Sequence, residues 1–160
     1  MKPRLFVAII AAVALAAGLA FVNRSEAGSV EAAYDGEPEI IAATFASAWC
    51  PACKVLEPKL SKVIPGFANE PVAFVKFDFT FGPRDELKAE AERYGLGVLY
   101  ERNKGAAGFT VLVDRDTGEI VDTLTMNFSE GAMRSAIARA IAVASHTDDE
   151  ASPMPEAGAK

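Results

Sequence analysis

The sequence predicts one α/β domain, a four-stranded mixed sheet with helices on both faces. Three observations predict it. Apolar patterns follow one another along the chain as strand, helix, strand, helix, strand, strand, helix. The first strand pattern runs directly into Cys50-Pro51-Ala52-Cys53, which opens the first helix. The 160 residues carry an apolar run at one end and an acidic tail at the other, leaving room for one domain of ordinary size between them.

The elements follow in order. Lys2 and Arg4 precede an uninterrupted apolar run from Leu5 to Val22, and Ser25-Glu26-Ala27 supplies small residues at the positions a signal peptidase reads. Residues 1–27 therefore read as a cleaved export signal or as a retained N-terminal membrane anchor, the run sitting at the lower limit for spanning a bilayer. Either reading places the domain in an exported space such as the periplasm, tethered to the inner membrane if residues 5–22 stay attached. Residues 28–38 are small, acidic and aperiodic, and read as a linker. The domain is expected over residues 39–145.

Ile40 to Ala46 is a short apolar run with β-branched and aromatic members, the pattern of a strand buried on both faces. The helix after Cys50 runs to about Ile64, with Val55, Leu56, Leu60, Val63 and Ile64 at helical spacing, and Pro65-Gly66 stops it. Pro58 inside it predicts a kink. Val72 to Phe79 alternates as a second strand. A second helix opens on Asp85 and Glu86, buries Leu87, Ala91 and Tyr94, and ends at Gly95. Leu96 to Gly108 reads as a long connection. Thr110–Val113 and Glu119–Leu124 form a hairpin about Asp114–Gly118, and Ser129 opens a last helix with Met133, Ile137 and Ile141 inward. Residues 146–160 are acidic and Pro/Ala-rich, the composition of a disordered tail.

Charge narrows the function. The net charge is −6 and no basic cluster is interleaved with aromatics, which argues against nucleic acid as a partner. There are only two cysteines. A bridge closing so short a loop restricts the unfolded chain little, so redox chemistry or metal binding is the better reading. Zinc needs three or four ligands at recognisable spacing, and the only histidine, His146, lies far along the chain. Met126 and Met133 read as core, no metal is assigned, and weak Cu(I) capture by the dithiol stays open.

A pair flanking two residues at a helix N-terminus suits thiol–disulfide exchange. Orphan N–H groups and the helix dipole favour a thiolate at Cys50, the attacking residue, while Cys53 in the first turn resolves the mixed disulfide. Trp49 shields the pair on one side and offers a flat apolar surface. The redox-active Cys50–Cys53 disulfide is the only cofactor expected.

Over roughly Glu39 to Val143 these residues resemble the thioredoxin superfamily. The likeness rests on Phe45 before Trp49-Cys50-Pro51-Ala52-Cys53-Lys54, on Pro58, on the strand Phe74–Asp78, and on Phe109–Val113 leading to Gly118-Glu119. It implies a thioredoxin-like fold, a thiol–disulfide oxidoreductase, protein thiols and disulfides as partners, and a substrate surface including Trp49, Pro51, Ala52 and Phe109. Asp78-Phe79-Thr80 before a helix is similar to the periplasmic reductase branch, such as the C-terminal domain of the transmembrane disulfide-interchange reductase. That similarity favours a reductant fed by a membrane electron donor. Two departures stand out. Phe109, preceded by Gly108, occupies the position of the family's cis-proline, so a trans peptide is expected there, with Phe109 covering the dithiol or forming part of the docking surface. Thr44 stands where cytoplasmic members carry a buried aspartate, which leaves Lys76, matching a family lysine, and Glu57 as candidates for proton transfer. The alternative to an enzyme is a copper-handling or substrate-docking module of the same fold with little general exchange activity.

Overall fold

A computed structural model describes residues 36–151. The expectations for residues 1–27, for most of the 28–38 linker and for the end of the tail lie outside them. Four strands, β1 (Ile40–Ala46), β2 (Val72–Asp78), β3 (Phe109–Asp114) and β4 (Ile120–Thr125), form one sheet in the order β2-β1-β3-β4. β1 pairs parallel with β2 and antiparallel with β3, and β3 pairs antiparallel with β4. The sheet is mixed, as the sequence predicts.

β1 is central and every one of its residues is buried, which is why its sequence is apolar throughout rather than alternating. Its side chains divide the core in two. Ile40 and Ala42 face α1 (Cys53–Val63) and α4 (Glu130–Ala151), packing with Leu56, Leu60, Leu112, Met133 and Ile137. Ile41, Ala43 and Phe45 face α2 (Asp85–Arg93) and α3 (Gly97–Asn103), packing with Val75, Phe77, Leu87 and Tyr100.

In α1, Cys53, Leu56, Leu60 and Val63 form the buried stripe, whereas Val55 is exposed. The helix is continuous through Pro58 and passes into a 3₁₀ turn at Ile64–Phe67. α4 buries Met133, Ala136, Ile137, Ala140 and Ala144 along one face, and Ser129 caps it by accepting from the Ala132 N–H at 3.1 Å. It extends to Ala151, into the segment read as tail. The β3–β4 turn is closed by Asp114, whose Oδ1 accepts from the N–H groups of Asp116 and Thr117.

One expectation is corrected. Leu96 to Gly108 is not a long loop: Gly97–Asn103 is the helix α3, reached without a polar cap. Leu96 and Tyr100, one turn apart, are both buried, and Tyr100 meets Phe77 edge-on at 5.6 Å between ring centroids. Burying that aromatic ring outweighs the weak intrinsic preference of a glycine-flanked heptapeptide. Met126 is likewise not core but 43% exposed, in the turn after β4.

Candidate functional site: the Cys50–Cys53 turn

The chain leaves β1 at Ala46 and makes a short turn before α1. The Cys50 N–H donates to the Ser47 carbonyl at 3.1 Å, and the Trp49 N–H donates to Ser47 Oγ at 3.3 Å. Pro51 lies in this turn, and Ala52 is the N-cap of α1 with no side chain able to cap it. An uncapped helix leaves orphan N–H donors in its first turn. One of them is used: the Cys53 N–H donates to Cys50 Sγ at 3.2 Å.

The two thiols sit in different surroundings. Cys50 is half-buried and Cys53 is buried, and they are not bridged. Burial, followed by the hydrogen bond with Cys50, pushes the Cys53 thiol up from an ordinary 9.0 to about 11. Negative charge at Cys50 and Glu57 acts in the same direction, and a backbone hydrogen bond at Ser47 offsets part of it.

Gly108 closes the site from β3. Its N–H donates to the Phe45 carbonyl at 2.8 Å, continuing the ladder one step beyond the strand. Its φ is +104°, and a Cβ there would stand 2.9 Å from Ala52 Cβ and 3.2 Å from Cys50 Sγ. Only glycine meets both demands. No described peptide bond is cis, so Gly108–Phe109 is trans. Phe109 itself points away from the α1 face: its ring stacks on Phe45 at 5.1 Å, among the aromatics facing α2 and α3. The part of this segment that meets the cysteines is Gly108.

Beneath the turn on the α1 face, Thr44 lies between its register neighbours Lys76 of β2 and Thr110 of β3. The Thr44 and Thr110 hydroxyls bond to each other at 2.8 Å, buried. Lys76 Nζ donates to Glu57 Oε2 at 2.6 Å, both side chains being about a third exposed. Thr44, Glu57 and Lys76 line one cavity of about 270 Å³, together with Leu60, Phe74 and Val75. The two proton-transfer candidates are thus neighbours of each other and of Thr44.

Trp49 is 78% exposed, and its indole N–H donates to the Thr80 carbonyl at 3.2 Å. Thr80 and Asp78 are what the sequence reading missed as site residues. Asp78 Oδ1 accepts from the Thr80 N–H at 2.8 Å and from the Thr80 hydroxyl, and Thr80 Oγ1 accepts from the Ala48 N–H at 2.9 Å. Burial alone would raise the Asp78 carboxyl, but the two Thr80 hydrogen bonds and the Lys76 and Arg84 cations hold it below the usual range. Phe81, next in the chain, is 82% exposed. The available signal was Asp-x-Thr at a strand end, the pattern of a side chain closing a turn on its own backbone.

A buried parallel–antiparallel sheet that presents two cysteines on a helix N-terminus, one accessible and one buried, defines the thioredoxin-like class and suggests a thiol–disulfide oxidoreductase. A thioredoxin of Echinococcus granulosus is 36% identical over 80 residues, which span 50% of this chain and 67% of the relative. The chain belongs to the thioredoxin superfamily. No protein-family model matches it. Among solved structures, it is similar to StoA from Bacillus subtilis, with 17% identity, a TM-score of 0.45, and coverage of 64% of this chain and 84% of that one. A thioredoxin variant from Halobacterium salinarum gives 25% identity and a TM-score of 0.40, over 65% and 76% of the two chains. For Fasciola hepatica thioredoxin the values are 23% and 0.40, over 64% and 82%.

Proposed function

We propose that this protein is an exported thiol–disulfide oxidoreductase that reduces disulfides in protein substrates. The observation that carries the reading is the Cys53 N–H directed at Cys50 Sγ, beside a second thiol that burial keeps protonated. Cys50 as thiolate attacks one sulfur of a partner disulfide. That S–S bond breaks, a partner thiolate leaves, and a mixed disulfide forms at Cys50. Cys53 then loses its proton and attacks Cys50 Sγ, releasing the second partner thiolate. Two electrons pass to the partner, and the chain is left with a Cys50–Cys53 disulfide. Glu57, paired with Lys76 and acting electrostatically on Cys53, is in this reading the carboxylate that takes that proton, and the released partner thiolate is its final acceptor.

Trp49, Pro51, Ala52 and the Gly108 backbone surround the point of attack and form the surface a partner meets, while Phe109, turned to the opposite face of the sheet, takes no part in it. Export is supported by the leader-like run Leu5–Val22, and an external dithiol donor resident in the membrane would return the pair to its reduced form. Equilibration in glutathione buffers with trapping of the thiols tests the reading. A pair that cycles reversibly, with a potential on the reducing side of about −230 mV, is expected of a reductant. A pair that stays unreactive, together with tight Cu(I) binding and no reduction of insulin disulfides, would overturn it in favour of a binding module.

A further inference from the structure

The turn that carries Cys50 belongs to neither strand nor helix, and its residues 47–49 are only partly covered. Two of its backbone donors, those of Trp49 and Cys50, are spent inside the turn on Ser47. Two other donors reach a different element, and both end on one residue. The Ala48 N–H donates to Thr80 Oγ1, and the Trp49 indole N–H donates to the Thr80 carbonyl.

Thr80 is itself fixed. Asp78 Oδ1 accepts both its N–H and its hydroxyl proton. A hydroxyl has a single proton to give, so donation to the carboxylate leaves an oxygen lone pair facing the Ala48 N–H. Asp78 ends β2 in register with Ala46, the last residue of β1, and the Phe79 N–H donates to the Ala46 carbonyl at 2.8 Å. The anchor is therefore rigid at its base. With 78% of Trp49 exposed, packing contributes little to holding the ring. Its orientation is set by two bonds together, the indole N–H to the Thr80 carbonyl and the Ala48 N–H to the Thr80 hydroxyl, which fixes the backbone next to it.

We propose that Thr80, oriented by Asp78, is a positioning residue that clamps the Ala48–Trp49 segment to the end of β2 and presents the Trp49 indole beside Cys50 in a preset arrangement. The proposal rests on the function given above for its kinetic consequence, not for its geometry. A preset surface spares a protein partner the cost of ordering it, whereas a small reagent that needs only the sulfur gains nothing. Losing the clamp therefore weakens capture of protein disulfides and leaves the intrinsic reactivity of the thiol in place.

Trp49 is the only tryptophan, so fluorescence reports on this segment alone. The test compares Thr80→Val with Thr80→Ser, which retains the hydroxyl. At constant shape, Thr80→Val removes the Ala48 bond and the hydroxyl's bond to Asp78 but leaves the carbonyl that accepts from the indole, so that any loosening of Trp49 comes through the clamped segment. In Thr80→Val, time-resolved anisotropy should show a faster local motion of Trp49. KM for insulin disulfides should rise about fivefold, the factor of one net hydrogen bond for the lost Ala48 contact, the one of the hydroxyl's two bonds that reaches the cysteine turn, with kcat and the rate with Ellman's reagent within about twofold. Thr80→Ser should restore both readouts. Parental anisotropy in Thr80→Val, an unchanged KM, or equal impairment in Thr80→Ser overturns the proposal. If circular dichroism shows Thr80→Val to be unfolded, Asp78→Ala against Asp78→Asn makes the same comparison, since the amide oxygen can still accept from Thr80. A protein without exchange activity would refute the proposed function, and the anisotropy comparison would still decide the clamp.

Discussion

The contrast between the two thiols is open to direct measurement. Cys53 is 2% exposed and its thiol is raised from 9.0 to about 11. At pH 7 a thiol of 9.0 is about one part in a hundred thiolate, and one of 11 about one part in ten thousand. The thiolate is the species that alkylates, so protonation alone slows Cys53 about a hundredfold against an ordinary cysteine. The reduced protein should be pulsed with iodoacetamide at a series of pH values and the two positions read separately by mass spectrometry. Cys50 should label first, and Cys53 should gain about tenfold in rate per pH unit until it levels near 11. Steric exclusion alone would give a slow rate that follows an ordinary thiol titration, so the midpoint separates the two causes. Comparable labelling at neutral pH, or a Cys53 midpoint near 9, would refute the assignment of attacking and resolving roles. The same shift acts on stability. A group whose folded value lies above its unfolded value contributes fully below the unfolded value, here about 9, and that contribution is lost as pH rises through about 11.

Two further predictions concern the frame around the dithiol. Gly108→Ala should destabilise by roughly 1–3 kcal/mol for its positive φ, with an added cost from the 2.9 Å approach to Ala52. Gly105→Ala has a similar φ of +86° but open space around the new methyl, so urea denaturation of both isolates the contact, and equal losses would refute it. Thr44→Val leaves the fully buried Thr110 hydroxyl without its partner and should cost about 1–3 kcal/mol. Replacing both threonines by valine should cost less than the two single changes added together, and strict additivity would show that the hydroxyls do not depend on each other.

The parts of the molecule legible in the sequence are those where one physical rule dominates. β1 is read because a strand covered on both faces must be apolar throughout, and the cysteine pair because it directly follows that strand. α3 was not legible, because Gly95, Gly97 and Gly105 read locally as breaks while the burial of Leu96 and Tyr100 is decided by Phe77 and Phe79, distant in the chain. The spacing of Leu96 and Tyr100 was the only trace. Phe109 shows how position and parity can compete. Matching it to a family proline drew attention toward the cysteines, but it shares strand parity with Val111 and Val113, and these face α2 and α3. Thr80 lay beyond periodicity altogether, since its role comes from two hydrogen bonds across a gap of more than thirty positions.

These features locate control of the dithiol at the ends of three strands. β1 delivers the turn at Ala46, β2 ends in Asp78 and the Thr80 clamp, and β3 begins just after Gly108, whose N–H is tied to Phe45. Each of these contacts involves backbone held by the sheet, and none requires a charged group beside the sulfurs. The register of β1 with β2 and β3 therefore sets the approach of Gly108 to Cys50 and the reach of Thr80 to Ala48. A slip of one residue in either pairing would turn every side chain of that strand to the other face and remove one wall of the site. The two core clusters, by fixing that register from both faces, position the chemistry as well as stabilise the fold.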